Sequence, residues 1–340
     1  MPRVLLISLT TAVVLLTASS DGLSQQNNDE LAVRQNVKAE VSRAFAAGDI
    51  EQLEKLSSTY LATRARTPSG LWKLTLFYSA TRDLIERQLE VQGGTFGDPV
   101  AKTGQAWLKK YPASPAAQVV RGQAMQIRAW RIRGYGYANT VSPEARVAFA
   151  KAIEENRKYF EAVKNTASAD PAWYCEMADI AKAQHWSRAR FDGLLSELLD
   201  RHPYYFQAVF CMAEYLSPRW HYENSEAIER FVDQVVGRTS AEDGKSMYAR
   251  IYWFMNSATN LDPQIVGPNF RVWPKMKAGF DDLIARHPDP WNLNHFALYA
   301  CAAGDKTKLT ELMTKIGAHP LRSVWPGSSF ERCKASASRP

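Results

Sequence analysis

The sequence of 340 residues has few features that indicate a reaction, and what it lacks narrows the classes of protein to consider. It has only four cysteines, and beyond residue 20 it has no apolar run of about 18 residues, which excludes a polytopic membrane protein. The formal net charge of +7 is spread along the chain, so it does not indicate nucleic-acid binding. With 46% hydrophobic and 23% charged residues, the composition is that of a soluble globular protein.

Motifs of the common enzyme classes are missing as well. The chain has no GxxxxGK[ST] phosphate loop and no HExxH, GxSxG or EF-hand pattern. The glycine-rich segment 93–97 lacks the lysine of a phosphate loop, and the histidines are scattered along the chain. We therefore predict no catalytic residue, no metal site and no cofactor, and the sequence favours a protein that is not an enzyme.

The four cysteines form no CxxC pair, so neither a zinc ribbon nor a thioredoxin-like motif is present. Cys175, Cys211 and Cys301 lie in apolar helical surroundings, where a buried free thiol is the ordinary state. Cys333 lies in the polar C-terminal segment. Export would permit disulfides, and four cysteines allow three fully paired connectivities. We predict one disulfide, between Cys301 and Cys333, that ties down the C-terminal tail.

Residues 1–20 have the pattern of a secretory signal peptide. Arg3 gives the positive start, an apolar run of about 15 residues follows, and Ala18 and Ser20 are the small residues of a cleavage site. The alternative is an uncleaved membrane anchor, but the run is shorter than the roughly 20 residues of a spanning helix. We predict cleavage after Ser20, a flexible leader over residues 21–30, no membrane span in the mature chain, and a periplasmic or secreted protein.

Helix start signals recur along the chain. Each pairs an N-cap residue, whose side chain accepts a backbone N–H, with a proline that has no N–H to leave unpaired. Five such pairs precede apolar-periodic runs, at Asp98-Pro99, Ser114-Pro115, Ser142-Pro143, Asp170-Pro171 and Asp289-Pro290. Strand-like alternation is scarce, so the pattern predicts an all-α protein of about thirteen helices.

Internal similarity predicts how these helices are arranged. AAGDIEQLEKL at residues 46–56 resembles AAGDKTKLTEL at residues 302–312, and each reads as a helix, a glycine turn and a second helix. From Asp170 to Pro203 the chain has the length of one tetratricopeptide repeat, with small residues where that repeat has them. We therefore predict helical hairpins stacked as a degenerate tetratricopeptide-like superhelix, in one domain over residues 31–334 with a tail at 335–340.

Two segments are rich in arginine and aromatic residues. In RAWRIRGYGY, Arg133 and Tyr137 belong to a cluster that suits carboxylates, phosphates or sugars, and in YLSPRWH, Arg219 and Trp220 follow a helix end. Both segments also have a structural interpretation, in which the tryptophans are packed and the arginine stems cover them. We name Arg133, Tyr137, Arg219 and Trp220 as candidate binding residues.

Several strings in fixed order resemble one family. They are RGYGYANTVSPEARVAF at 133–149, DPAWYCEMADIA at 170–181, HPYYFQAVFCMAEYLSPRW at 202–220 and HPDPWNLNHFALYACAAGD at 287–305. Together they are similar to an exported bacterial family that is known only as a domain of unknown function with tetratricopeptide-like helices. Tyr135 and Tyr222 depart from its pattern. The resemblance covers roughly residues 67–334 and implies a helical fold and an exported protein, but no activity.

Two functions of different classes fit these features. The first is a non-enzymatic scaffold that binds a protein or peptide partner in the bacterial envelope through a concave superhelical surface. The second is a protein that binds a small ligand or a glycan, with possible enzymatic activity, in an aromatic and arginine-lined pocket. A structural subunit without a ligand is the third option. The sequence does not decide among them.

Overall fold

The computed structural model describes residues 29–91, 99–134, 136, 138–218, 220–221, 223–258, 272–318 and 320–337. The predicted signal peptide and most of the predicted leader lie outside these residues. The described part contains sixteen α-helices: α1 (Glu30–Ala47), α2 (Ile50–Thr63), α3 (Lys73–Val91), α4 (Pro99–Lys110), α5 (Pro115–Arg133), α6 (Pro143–Ala162), α7 (Lys164–Ala167), α8 (Ala172–Ala183), α9 (Arg188–Arg201), α10 (Phe206–Tyr215), α11 (Ser225–Asp243), α12 (Ser246–Ala258), α13 (Trp273–Arg286), α14 (Pro290–Ala302), α15 (Lys306–Ile316) and α16 (Ser329–Ala337).

The all-α class is confirmed. No strand occurs in the described residues, where the only β-type pairing is an isolated bridge between Arg66 and Trp72. No helix of the described part is long and apolar enough to cross a membrane. The tetratricopeptide-like superhelix stays a prediction.

The N-cap signals explain where several helices begin. The side chains of Ser114, Ser142 and Asp289 accept backbone N–H bonds at the starts of α5, α6 and α14, and a proline follows each of them. Asp170 accepts from the backbone N–H of Ala172, so it supports the start of α8. The fifth predicted cap, Asp98, lies outside the described residues.

The predicted number of helices was wrong, because about thirteen were expected and the described residues alone contain sixteen. The four-residue helix α7 and the two-residue turn at 244–245 leave no gap in the apolar pattern. Glu30, at the end of the predicted leader, is the first residue of α1 and only 1% exposed, and α16 continues to Ala337 in the predicted tail.

A ring of helices forms the interior. Helices α1, α3, α5, α8, α10, α12 and α14 carry most of the residues that line one central cavity, and the helices between them in sequence carry none of these residues. From α1 to α12, consecutive members of this set pack against each other. Trp253 of α12 then lies 3.9 Å, between ring centroids, from His295 of α14. The ring therefore proceeds in chain order around the cavity.

The loop between α2 and α3 joins the first part of the ring to the last. Glu30 accepts from the backbone N and the Oγ of Ser69, both at 2.8 Å. The carbonyl oxygen of Ser69 accepts from Arg250 Nη2 at 2.6 Å and from Asn292 Nδ2 at 3.1 Å. Gly70 has a φ of +89°, and a Cβ there would lie 2.7 Å from Arg250 Nη2. Because α1, α12 and α14 meet at this loop, the ring is closed.

Two disulfides link helices. Cys301 and Cys333 are bonded, with their Cα atoms 5.7 Å apart, and this bond holds α16 against α14. Cys175 and Cys211, expected as free thiols, are bonded as well, with their Cα atoms 5.2 Å apart. The prediction of free thiols was wrong, because no local pattern indicates that α8 and α10 lie side by side. Cys175 lines the central cavity.

Candidate functional site

The central cavity has a volume of about 650 Å³. Its charged lining residues are four bases and one acid, namely Arg34, Lys38, Arg82, Arg250 and Glu176. Large aromatic side chains make up another part of its wall. The cavity therefore combines cationic and aromatic surfaces around one space. This is the usual composition of a site for a small organic ligand.

Three of the bases lie on the two helices that begin the ring. Arg34 and Lys38 are one turn apart on α1, so their side chains share a face of that helix, and Arg82 lies on the adjacent α3. The side chains of Arg34, Lys38 and Arg82 are 27%, 38% and 32% exposed. These exposures leave part of each cation open to a ligand. We call Arg34, Lys38 and Arg82 the basic wall.

Each cation of the basic wall is held by one carboxylate. Arg34 Nε donates to buried Glu30 at 2.5 Å, and Lys38 Nζ donates to Asp83 at 2.9 Å. A cation held from one side keeps its position, so little side-chain freedom is lost when an anion binds from the other side.

Arg82 has the most unused hydrogen-bonding capacity of the three. Its Nη2 donates to Glu176 Oε1 at 3.0 Å, and this is its one hydrogen bond to a described residue. Nε, Nη1 and the second hydrogen of Nη2 therefore remain as donors. Two donors on one edge of a guanidinium, Nη2 with Nε or Nη2 with Nη1, match the two oxygens of a carboxylate.

Aromatic side chains from the last part of the ring complete the wall. Phe210 of α10 and Phe254 of α12 are stacked, with ring centroids 4.9 Å apart and planes 9° apart. Trp291 of α14 lies beneath Arg34, whose guanidinium carbon is 4.7 Å from the ring centroid. Trp253 also lines the cavity. We call Phe210, Trp253, Phe254 and Trp291 the aromatic wall.

Glu176 is the acid of the cavity, and it is only 3% exposed. Its Oε1 accepts from Arg82 Nη2 at 3.0 Å and from Gln123 Nε2 at 3.3 Å. Its Oε2 is buried and has no hydrogen-bond partner in the described part of the chain. Burial raises the pKa of this carboxyl to about 7, although the Arg82 charge acts to lower it.

A second buried acid, Asp170, lies at the start of the helix that carries Glu176. Asp170 accepts from the Tyr78 hydroxyl at 2.6 Å, and burial raises its pKa to about 6. Its hydrogen bonds to Tyr78 and to the backbone of Ala172 lower the pKa only in part. Because it caps α8, its first role is structural, and it does not line the cavity.

Arg250 closes the cavity next to the Ser69 loop. It is 7% exposed, and burial lowers the pKa of its guanidinium to about 10, against the opposing charge of Asp243. Arg66 contacts the same aspartate, with its Nη1 3.4 Å from Asp243 Oδ1. Since Nη2 of Arg250 is committed to Ser69, this residue acts mainly in closing the ring.

The predicted binding residues lie elsewhere, as far as they are described. Tyr137 and Arg219 fall outside the described residues, and Arg133 and Trp220 are not part of the cavity lining. The guanidinium of Arg133 donates to the carbonyls of Gly134 and Gly136, both at 3.0 Å, so it closes the end of its own helix.

The two predicted segments do meet, through Trp130. Its ring centroid is 5.6 Å from that of Trp220 and 5.6 Å from the guanidinium carbon of Arg133. Buried Lys182 lies beside both tryptophans and is held by Asp179 at 2.9 Å. We call Trp130, Arg133, Lys182 and Trp220 the outer cluster.

The residues of the basic wall were missed by sequence reasoning. One signal was available, because Arg34 and Lys38 are spaced by one helical turn. Another lay in the resemblance, since Trp291 and Asn292 belong to its WNLN string and line the cavity. Neither signal shows that α1, α3 and α14 meet around one space.

In the described part of the chain, no group of three or more histidine, cysteine, aspartate or glutamate residues is arranged to hold a metal ion. No curated protein and no solved structure matches the chain. A family model described as Domain of unknown function (DUF4034) matches residues 83–185, which run from the last part of α3 through α8 and include Gln123, Arg133 and Glu176. The predicted relation to a family of unknown function is thereby confirmed for this segment of the chain.

Proposed function

We propose that the protein binds a small organic anion with an aromatic or otherwise planar ring in its central cavity. The observation that carries this proposal is the pairing, in one cavity, of the basic wall with the aromatic wall. The anionic group would bind to Arg82 and Lys38, and the ring would pack on the stacked pair Phe210 and Phe254.

The charges support an anion rather than a cation. The lining residues include four bases and one acid, and the carboxylates that balance Arg34 and Lys38 do not line the cavity. An anion in the cavity would therefore contact the guanidinium and ammonium groups and not the carboxylates that balance Arg34 and Lys38. Charge-assisted hydrogen bonds of this kind contribute about 1.5–3 kcal/mol each, which is more than neutral ones.

The size and the aromatic surface support a ligand of moderate size. A volume of about 650 Å³ lies well within the range of small-molecule sites, roughly 300–1,000 Å³. An aromatic ring prefers offset-stacked or edge-on contact with other rings, and such a pair adds about 0.5–1.5 kcal/mol beyond its burial. A closed ring of helices also suits an enclosed ligand better than an extended peptide.

A protein- or peptide-binding scaffold of the bacterial envelope is the second candidate. It is favoured by the outer cluster, where Trp130 and Trp220 are partly exposed next to Arg133. It rests further on the predicted signal peptide, the predicted periplasmic or secreted location and the predicted tetratricopeptide-like arrangement. Aromatic and arginine side chains are enriched at the centres of protein interfaces.

Calorimetric titration with indole-3-acetate and with its neutral amide tests the proposed function. Indole-3-acetate should bind, and the amide should bind at least about tenfold more weakly because it lacks the charge. Lys38→Gln should weaken binding of the acid, whereas Lys315→Gln, which removes an ion-paired lysine of α15 that does not line the cavity, should not. Equal affinity for acid and amide, or no binding of either, contradicts the proposal.

A further inference from the structure

We infer that Glu176 takes up one proton from the solvent when the cavity binds its anion, so that ligand and proton bind together. This inference rests on the proposed function and specifies how binding at that site is regulated. The proton comes from water or buffer and goes to Oε2, and no other bond is made or broken.

The first argument is that Glu176 and the ligand compete for the same cation. Arg82 is the one basic residue that hydrogen-bonds Glu176 among the described residues, and it is also part of the basic wall. An anion on the remaining donors of Arg82 would place a second negative charge close to Glu176, around one guanidinium. Two carboxylates that share one site do not both stay ionised, and one of them binds a proton.

The second argument concerns the unpartnered oxygen. Oε2 of Glu176 is buried without a hydrogen-bond partner in the described part of the chain. An ionised oxygen in that position is far more costly than a neutral hydroxyl, because burial penalises the charged form. The proton therefore has a defined place to bind, and Oε1 keeps its bonds to Arg82 and Gln123.

The other groups around Glu176 act in both directions, because the hydrogen bond from Gln123 favours its ionisation and the charge of Asp179 opposes it. From α3 it faces Tyr78 as well as Arg82, from α5 it faces Gln123, and Tyr205 approaches from the start of α10. On its own helix, the charge of Asp179 acts against ionisation. Lys182 is directed at Asp179 and Glu214.

Burial already raises the pKa of Glu176 to about 7 without a ligand. Below pH 7 the Glu176 carboxyl is therefore mostly protonated before the ligand binds, and binding takes up little additional proton. Above pH 7 the ligand must bring a proton with it. Because the linkage is reciprocal, the affinity should fall by up to about tenfold for each pH unit above 7.

The experiment is calorimetric titration of the full chain with indole-3-acetate at pH 6.5, 7.5 and 8.5. Its carboxyl is ionised at all three values, so the ligand itself contributes no pH dependence. At pH 8.5, measurement in HEPES and in Tris, whose ionisation enthalpies differ, gives the number of protons taken up. We expect a value close to one, and an affinity roughly tenfold lower at pH 8.5 than at 7.5.

Glu176→Gln keeps the shape of the side chain and its bonds through Oε1, so it should bind indole-3-acetate with no proton uptake and with an affinity independent of pH. The matched control is Glu197→Gln, which removes a hydrogen-bonded glutamate of α9 outside the cavity and should behave as the wild type. Circular dichroism checks that both variants fold. If Glu176→Gln does not fold, the wild-type proton count alone decides.

The outcomes separate the two proposals. Binding of indole-3-acetate without proton uptake overturns this inference and leaves the proposed function standing. A pH dependence that persists in Glu176→Gln overturns it as well, because another group must then be responsible. If neither indole-3-acetate nor its amide binds, the proposed function fails and the inference fails with it.

Discussion

The guanidinium carbon of Arg34 lies 4.7 Å from the centroid of the Trp291 ring, and this contact joins α1 to α14. The same Arg34 is held by Glu30, which also binds the Ser69 loop. A cation that closes the ring of helices is therefore also part of the cavity wall. Stability of the ring and the geometry of the site should depend on the same contacts.

The Ser69 loop gives a direct test of ring closure. Gly70→Ala should lower the free energy of unfolding by about 2–4 kcal/mol, since alanine is strained at positive φ and its Cβ would overlap Arg250 and His287. Gly193→Ala is the control, because its Cβ would meet nothing within 4 Å on helix α9, and it should leave stability unchanged or raise it by up to about 1 kcal/mol. Urea denaturation measures both, and equal effects of the two variants would contradict the closed ring.

The two disulfides should be present in the folded protein and contribute to its stability. Without reductant, none of the four cysteines should react with an alkylating reagent under denaturing conditions, as intact-mass spectrometry will show. The double variant Cys301→Ser with Cys333→Ser should lose about 3–4 kcal/mol, because the bond closes a loop with a sequence separation of 32. A free thiol at any of the four positions would contradict the pairing.

The raised pKa of Asp170 predicts how the stability depends on pH. Burial raises this pKa to about 6 in the folded protein from an ordinary value of 3.8, so the folded state binds the proton more tightly than the unfolded state. Stability from this group is therefore highest below pH 4 and is lost as the pH rises towards 6, by on the order of 2–3 kcal/mol.

Asp170→Asn isolates this effect, since asparagine can still cap α8 and bond Tyr78 but does not titrate. Relative to the wild type, the variant should become more stable as the pH rises from about 4 to 7, and the difference should then stay constant. The comparison with the wild type is needed because burial lowers the pKa values of His287 and His295 to about 4, which acts in the opposite direction over the same range. A difference that does not change with pH, measured by urea denaturation, would remove Asp170 as a titrating group.

Local patterns predicted the helices well, and long-range contacts account for what was missed. A serine before a proline fixes the start of a helix within one turn, as at Ser114 and Ser142. The cavity, by contrast, depends on bonds from Arg250 and Asn292 to Ser69, which span 181 and 223 positions of the sequence. A repeat period predicts how each helix packs on the next one. It does not predict that α1 and α14, at the two ends of the ring, meet.

Arg133 and Trp220 stay predicted binding residues, and neither of them lines the central cavity. Arginine and aromatic residues do come together in the outer cluster, but they do so around Lys182 and away from the cavity. Composition alone does not distinguish a cluster that packs on itself from one that lines an empty space. Burial and the position on the ring make that distinction.

A matched pair of tryptophan variants separates the two candidate functions. Trp291→Leu changes the aromatic wall and should weaken binding of indole-3-acetate by about tenfold, because Arg34 of the basic wall then loses the ring that it packs on. Trp220→Leu changes the outer cluster and should leave that affinity within about twofold, since Trp220 does not line the cavity. Calorimetric titration of both variants, after circular dichroism has shown that they fold, provides the measurement.

The same two variants can be immobilised and exposed to a bacterial envelope extract. A scaffold that uses the outer cluster should lose its captured protein in Trp220→Leu and keep it in Trp291→Leu, which is the reverse of the order expected for the small anion. If Trp220→Leu weakens indole-3-acetate binding as much as Trp291→Leu does, the anion site is not the central cavity, and the assignment of the basic and aromatic walls is wrong.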